Sequence, residues 1–201
     1  MFILYAVVVG LLVGFLAGGR VAGLASLHLR WPAAVVGGLL VQVALFSPAV
    51  ASRVGGLGPP VYVASTMLVG AAVLRNWSVP GMPVVAAGAA CNLLAIVANG
   101  GYMPASAGAI ALMGGPAHGG AAGYSNSAAL ADPALWFLTD VFAMPRWVPF
   151  ANVFSLGDVL IGTGIALVIV LAMRSAATAG PAPAPAPDPV RPGTGSNDIP
   201  T

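Results

Sequence analysis

Charges are almost confined to the gaps between long apolar runs, and this restricts the fold more than any motif. No charged residue occurs from Phe2 to Ala17, or in 32–51, 61–74 or 83–98, and a last run, 156–173, carries only Asp158. A run of roughly 20 apolar residues is enough for a helix to cross about 30 Å of hydrocarbon. In lipid every backbone N–H and C=O must be satisfied within the protein, which leaves helices or closed barrels. No strand pattern is visible. The charged fraction is 6%, where a soluble domain has roughly 25%. The expected class is therefore all-α: an integral membrane bundle of about five transmembrane helices, with one short interfacial or re-entrant helix in a long outer loop.

The expected spans are about 2–18, 32–51, 61–74, 83–98 and 156–173, with the outer loop at 99–155. Together they make a membrane domain of 1–174, and 175–201 is a Pro/Ala-rich tail whose composition cannot bury a core. The first positive charge, Arg20, follows the first apolar run, so the positive segment of a signal peptide is lacking and the helix is read as retained. Gly10, Gly14 and Gly18 recur every four residues, a spacing that lets another helix approach closely. Packing within the chain's own bundle is preferred here to a homodimer face. Pro32 fits the first turn of the second helix. Gln42 lies deep in an apolar run, and its amide needs a partner on a neighbouring helix. Asn92 is the other intramembrane polar residue, seven before Asn99 and so on the same helix face. In the outer loop, Asp132-Pro133 reads as an N-cap and first-turn proline, opening a short helix over Ala134–Met144 that Pro145 stops.

Five spans put Arg20, Arg30, Arg75, Arg174 and Arg191 on one side and Arg53 and Arg146 on the other. The positive-inside tendency makes the first set cytoplasmic, with the N-terminus outside and the C-terminus inside a plasma membrane. The arginines are scattered singly, which excludes a nucleic-acid patch. The single cysteine, Cys91, excludes an internal disulfide and reads as a small apolar residue.

The side chains with possible chemistry gather around the loop. Ser155 and Asp158 have the spacing of a capping box, in which hydroxyl and carboxylate each accept from the other's backbone amide. An ionisable group just inside a membrane is also a functional candidate in its own right. Asn99, Tyr102, Ser155 and Asp158 leave or enter the bilayer on one side, and Asp140 can join them. Asn99-Gly100-Gly101 reads as a helix end with glycine in the left-handed conformation. His28 and His118 fall on opposite sides, so no metal site is expected. No cofactor is expected either.

The Asn99-Gly100-Gly101-Tyr102-Met103-Pro104, Trp136-Phe137-Leu138-Thr139-Asp140 and Phe154-Ser155-Leu156-Gly157-Asp158 runs resemble a family of bacterial membrane proteins, domain of unknown function 5317. Gly18-Gly19-Arg20 and Gln42 are similar to it too. The resemblance covers roughly Leu4 to Arg174 and excludes the tail. It implies a multi-pass bacterial membrane protein and no particular reaction.

Three functions follow in order of preference. The first is a non-enzymatic membrane module: an accessory subunit, scaffold or small-ligand binder. Its partners are the lipid bilayer and a membrane protein or a second copy. The second is a small carrier or channel, which needs a polar path. The third is an intramembrane enzyme using Asp158 and Asp140, for which no second catalytic partner is evident.

Overall fold

The computed structural model describes residues 2–113, 127–128, 130 and 132–178. It is mostly helical. The long helices are α1 (Phe2–Leu16), α2 (Pro32–Leu45), α4 (Gly58–Arg75), α5 (Met82–Ala98) and α7 (Leu156–Thr178), with the short α3 (Pro48–Val54) and α6 (Ala107–Leu112) between them. Two helical stretches, Pro48–Arg75 and Leu156–Ser175, are long and apolar enough to cross a membrane, and α1, α2 and α5 are shorter apolar helices. The helix expected to run from 32 to 51 stops at Leu45. Phe46 leaves the helical conformation, and Pro48, which has no N–H, opens α3 instead. At the other boundary, α7 runs on past Arg174 into the first residues expected to belong to the tail. Residues 179–201, and with them Arg191, lie outside the described residues, as does His118.

The helices pack in the order α1, α7, α5, α4, α2, so the last helix lies between the first and the fifth. Glycine makes this possible on both flanks of α7. A Cβ added at Gly10 would lie 2.9 Å from the Ala166 Cα. One at Gly88 would lie 2.5 Å from the Gly157 carbonyl, and one at Gly81 would lie 2.6 Å from the Gly164 carbonyl. These are backbone approaches that any side chain would block. Gly14 is also buried, but it faces the Met173 Sδ, a mobile neighbour. Gly18 does not continue this face. It sits past the end of α1 with φ +77° and open space where a Cβ would be. There it supplies the left-handed residue that ends a helix.

Contact positions also give direction. Ala6 meets Gly162 and Gly10 meets Ala166, so α1 and α7 run parallel. Gly81 meets Gly164 and Gly88 meets Gly157, so α5 and α7 are antiparallel. Gln42 Nε2 donates to Thr66 Oγ1 at 3.3 Å and Phe46 meets the Tyr62 ring edge-on, so α2 and α4 are antiparallel. Tyr62 packs with Ile96, and Val73 with Val85, so α4 and α5 are antiparallel as well. Each long helix in sequence thus reverses the one before it.

One end of the bundle is tied by Asn76, whose side chain is buried just past α4. It accepts from the Arg30 amide at 2.7 Å and donates to the Arg30 carbonyl at 2.8 Å and the Ala72 carbonyl at 2.7 Å. The other end is covered by the long loop. The short helix expected over Ala134–Met144 is absent. A 3₁₀ turn at Trp136–Leu138 replaces it, because Leu135 takes a left-handed φ of 51° that no helix can pass through. After it the chain is extended. Strand β1 (Met103–Pro104) pairs in parallel with β2 (Ser127–Ala128), and β3 (Phe142–Ala143) pairs antiparallel with β4 (Val153–Phe154). Phe154 stacks on Phe2 with centroids 4.5 Å apart and on Phe142 at 5.4 Å, fastening the loop to the start of α1.

These contacts separate the glycines by consequence. Gly88→Ala should destabilise the protein in detergent by about 1–3 kcal/mol through overpacking against backbone. Gly70→Ala, where a Cβ meets open space, should be neutral or stabilising by up to about 1 kcal/mol. Thermal melts of the two variants check this, and equal melting temperatures would contradict the packing described.

Candidate functional site

The site lies where α5 and α7 meet beneath the loop. Ser155 precedes α7 and its hydroxyl accepts from the Asp158 amide at 3.0 Å, while Asp158 Oδ2 accepts from the Ser155 amide at 3.0 Å. This is the reciprocal capping box expected from the spacing. A third residue then closes it into a ring. The Ser155 hydroxyl donates to Asn92 Oδ1 at 2.9 Å, and Asn92 Nδ2 donates to Asp158 Oδ1 at 3.0 Å. Ser155 is fully buried. Each carboxylate oxygen of Asp158 therefore accepts one hydrogen bond.

Gly157 and Gly88 make room for the ring. A Cβ on Gly157 would overlap the Asn92 amide and lie 2.8 Å from the Gly88 carbonyl. Sequence reasoning placed Asn92 among the intramembrane polar residues rather than in the cluster, and it passed over Gly157. The available signal was their shared small-residue setting, with Gly88 one helical turn before Asn92 and Gly157 beside Asp158.

The other expected members do different work. Asn99 faces the loop: its Nδ2 donates to the Ala95 carbonyl at 2.8 Å and the Ala134 carbonyl at 2.9 Å, and its Oδ1 accepts from the Ala134 amide at 2.9 Å. It is a staple between the end of α5 and the returning chain. Gly100 and Gly101 have φ of 69° and 88°, and the Gly101 amide donates to the Ile96 carbonyl at 2.8 Å, the helix end expected. Tyr102 packs against the apolar cluster of Leu45, Tyr62, Ile96 and Met103, with Cys91 and Phe46 nearby.

Asp140 is buried in the loop. Its amide donates to the Pro104 carbonyl at 2.9 Å and its carbonyl accepts from the Ser106 amide at 3.0 Å, which fixes it beside β1. Burial, and after it the neighbouring Asp158 charge, push its carboxyl from 3.8 up to about 7. Arg146, on the same loop, is exposed. Among the described residues no three His, Cys, Asp or Glu side chains converge as a metal ion would require.

A family model described as a family of unknown function (DUF5317) matches residues 26–170. The chain belongs to this family. No curated protein and no solved structure matches it. The matched region of DUF5317 contains both Asn92 and the Ser155–Asp158 box, so the whole ring falls within it.

Two outcomes follow. Asn is a mild replacement for Asp158 by spacing alone, but in the ring it would set one amide N–H group against another donor. Asp158→Asn and Asp158→Ala should therefore both cost about 1–3 kcal/mol in detergent unfolding. An Asn variant as stable as wild type would mean that the ring is not formed. For Asp140, the unfolded chain ionises near 3.8, whereas the folded chain keeps its proton to about 7. Stability should be fully present below the lower value and fall as pH rises through the higher one. Asp140→Asn should flatten thermal melts across that window, and an unchanged slope would show that the carboxyl is not held protonated.

Proposed function

We propose that the chain is a multi-pass membrane protein with five crossings that acts as a non-enzymatic module, recognising a membrane-protein partner through its outer cap. The alternation of the long helices supports the five crossings. So does the apolar exterior: Val9, Leu12, Leu16, Leu40, Val43, Met67 and Leu94 point outward from four different helices. Helices of 14 to 17 residues are short for a full bilayer, and a locally thinner membrane or helix ends reaching into the headgroups accommodates them.

The arginines are unevenly divided. Arg20, Arg30, Arg75 and Arg174 lie at one end, whereas the loop end holds Arg53 and Arg146 together with Asp132, Asp140 and Asp158. That asymmetry favours a cytoplasmic arginine end and an outer cap.

The observation that carries the function is how the polar side chains are spent. Gln42 pairs with Thr66, and Asn92, Ser155 and Asp158 pair with one another. Among the described residues these two groups are separate, which favours internal bracing over a continuous path for a solute. Each Asp158 oxygen accepts a hydrogen bond from the ring, which favours a bracing role there. The cap meanwhile presents Trp136, Phe137 and Trp147 outward. Exposed aromatics of this kind are the residues that dominate recognition surfaces.

In a Cys91→Ala background, Ser52→Cys should label from outside intact cells, and Ser26→Cys only after permeabilisation. Labelling of both from the same side would refute the topology. Affinity capture from mild detergent tests the role. A membrane protein retained by wild type should be lost from a Trp136→Ala/Trp147→Ala variant that melts normally, and undiminished capture would refute recognition through the cap.

A further inference from the structure

The end opposite the cap holds a feature that the proposed function does not use. Where α2 begins and α4 ends, an open cavity of about 520 Å³ is lined by Arg30, Trp31, Leu74, Arg75, Trp77 and Ser78. Two arginines thus share one hollow with two half-exposed tryptophans. They come from chain segments over forty residues apart, and the Asn76 amide holds them together by gripping the Arg30 backbone from the end of α4. Trp31, immediately after Arg30, sits at φ 57° and ψ 42°, a left-handed conformation that a bulky residue rarely adopts. Backbone strain of this kind persists only where surrounding contacts hold it in place.

Arg30 and Arg75 are both exposed and line the same hollow, so an anion seated there can meet both. Among the described residues none is at hand, because Asp132, Asp140 and Asp158 all lie at the far end of the bundle. A phosphate ester suits the guanidinium fork, which donates to two oxygens at once. The flanking tryptophans suit the headgroup level of a bilayer, and exposed Leu74 suits the start of the acyl chains.

We infer that this hollow is a binding site for the headgroup of an anionic phospholipid, with Arg30 and Arg75 on the phosphate and Trp31 and Trp77 at its sides. The inference rests on the membrane reading above. Anionic lipid attracts basic residues at a membrane surface strongly enough that each arginine removed should weaken binding roughly fivefold.

The full chain, purified in dodecyl maltoside, is titrated with phosphatidylglycerol, phosphatidylcholine or inorganic phosphate while lipid adducts are counted by native mass spectrometry. Phosphatidylglycerol should bind in preference to phosphatidylcholine, and inorganic phosphate should not compete at millimolar concentration. Arg30→Gln/Arg75→Gln should lose that preference, and Arg30→Lys/Arg75→Lys, which keeps the charge but not the fork, should keep only part of it. Arg20→Gln, at the same end but outside the hollow, should leave it unchanged. Melting in lipid-free detergent shows whether each variant folds. Equal retention of phosphatidylglycerol by wild type and the folded double-Gln variant would overturn the site. An equal loss in Arg20→Gln would overturn it too, by reducing the effect to bulk surface charge. Competition by inorganic phosphate would overturn the lipid assignment. Extraction of the chain from membranes by carbonate would refute the membrane reading itself, separately from these outcomes.

Discussion

The rest of the structure depends on how closely α7 approaches α1 and α5. A helix can lie between two others at backbone contact only if both of its flanks are nearly bare, and Gly157, Gly162, Gly164 and Ala166 leave them so. In the bilayer proposed for this chain, apolar side chains gain little from each other because lipid tails are equally apolar, so close packing and polar pairing must supply the cohesion. The ring of Asn92, Ser155 and Asp158 supplies the polar part at the point where Gly88 and Gly157 bring the two backbones together. Packing and hydrogen bonding there depend on each other. Without the glycines Asn92 could not reach, and without the ring the buried amides that open α7 would lack partners.

Part of this was legible in the chain. The capping box was readable because it is local: two side chains three residues apart satisfy each other's amides, and nothing distant intervenes. The helix end at Asn99-Gly100-Gly101 was readable for the same reason. Gly10 and Gly14 were readable as a packing face, since small residues at helical spacing mean the same thing in most bundles. Gly18 extended the pattern by spacing alone, but the helix had already ended.

What was not legible depends on partners far away in sequence. Asn92 reaches Asp158 across 66 residues, and no periodicity announces that pairing. Nor does any local pattern announce that the Asn76 amide binds a backbone 46 residues earlier. The loop misled in the opposite direction. Asp132-Pro133 is a good local start for a helix, and Leu135, Trp136 and Leu138 look like its apolar face. The competing demand was the Asn99 staple on Ala134, which holds the chain at α5 and leaves Leu135 to turn left-handed. Strands of two residues have no pattern long enough to read.

The central position of α7 bears on how such a protein is made. Ribosomes deliver helices in order, so on the proposed five-crossing reading α1, α2, α4 and α5 all leave the insertion machinery before the segment that separates α1 from α5 has been synthesised. Until then the glycine faces of α1 and α5 have no neighbour of their own. The main partner of the first helix is thus the last one made. On that reading, a ribosome stalled before Leu156 would leave α1 without the helix that holds it in place.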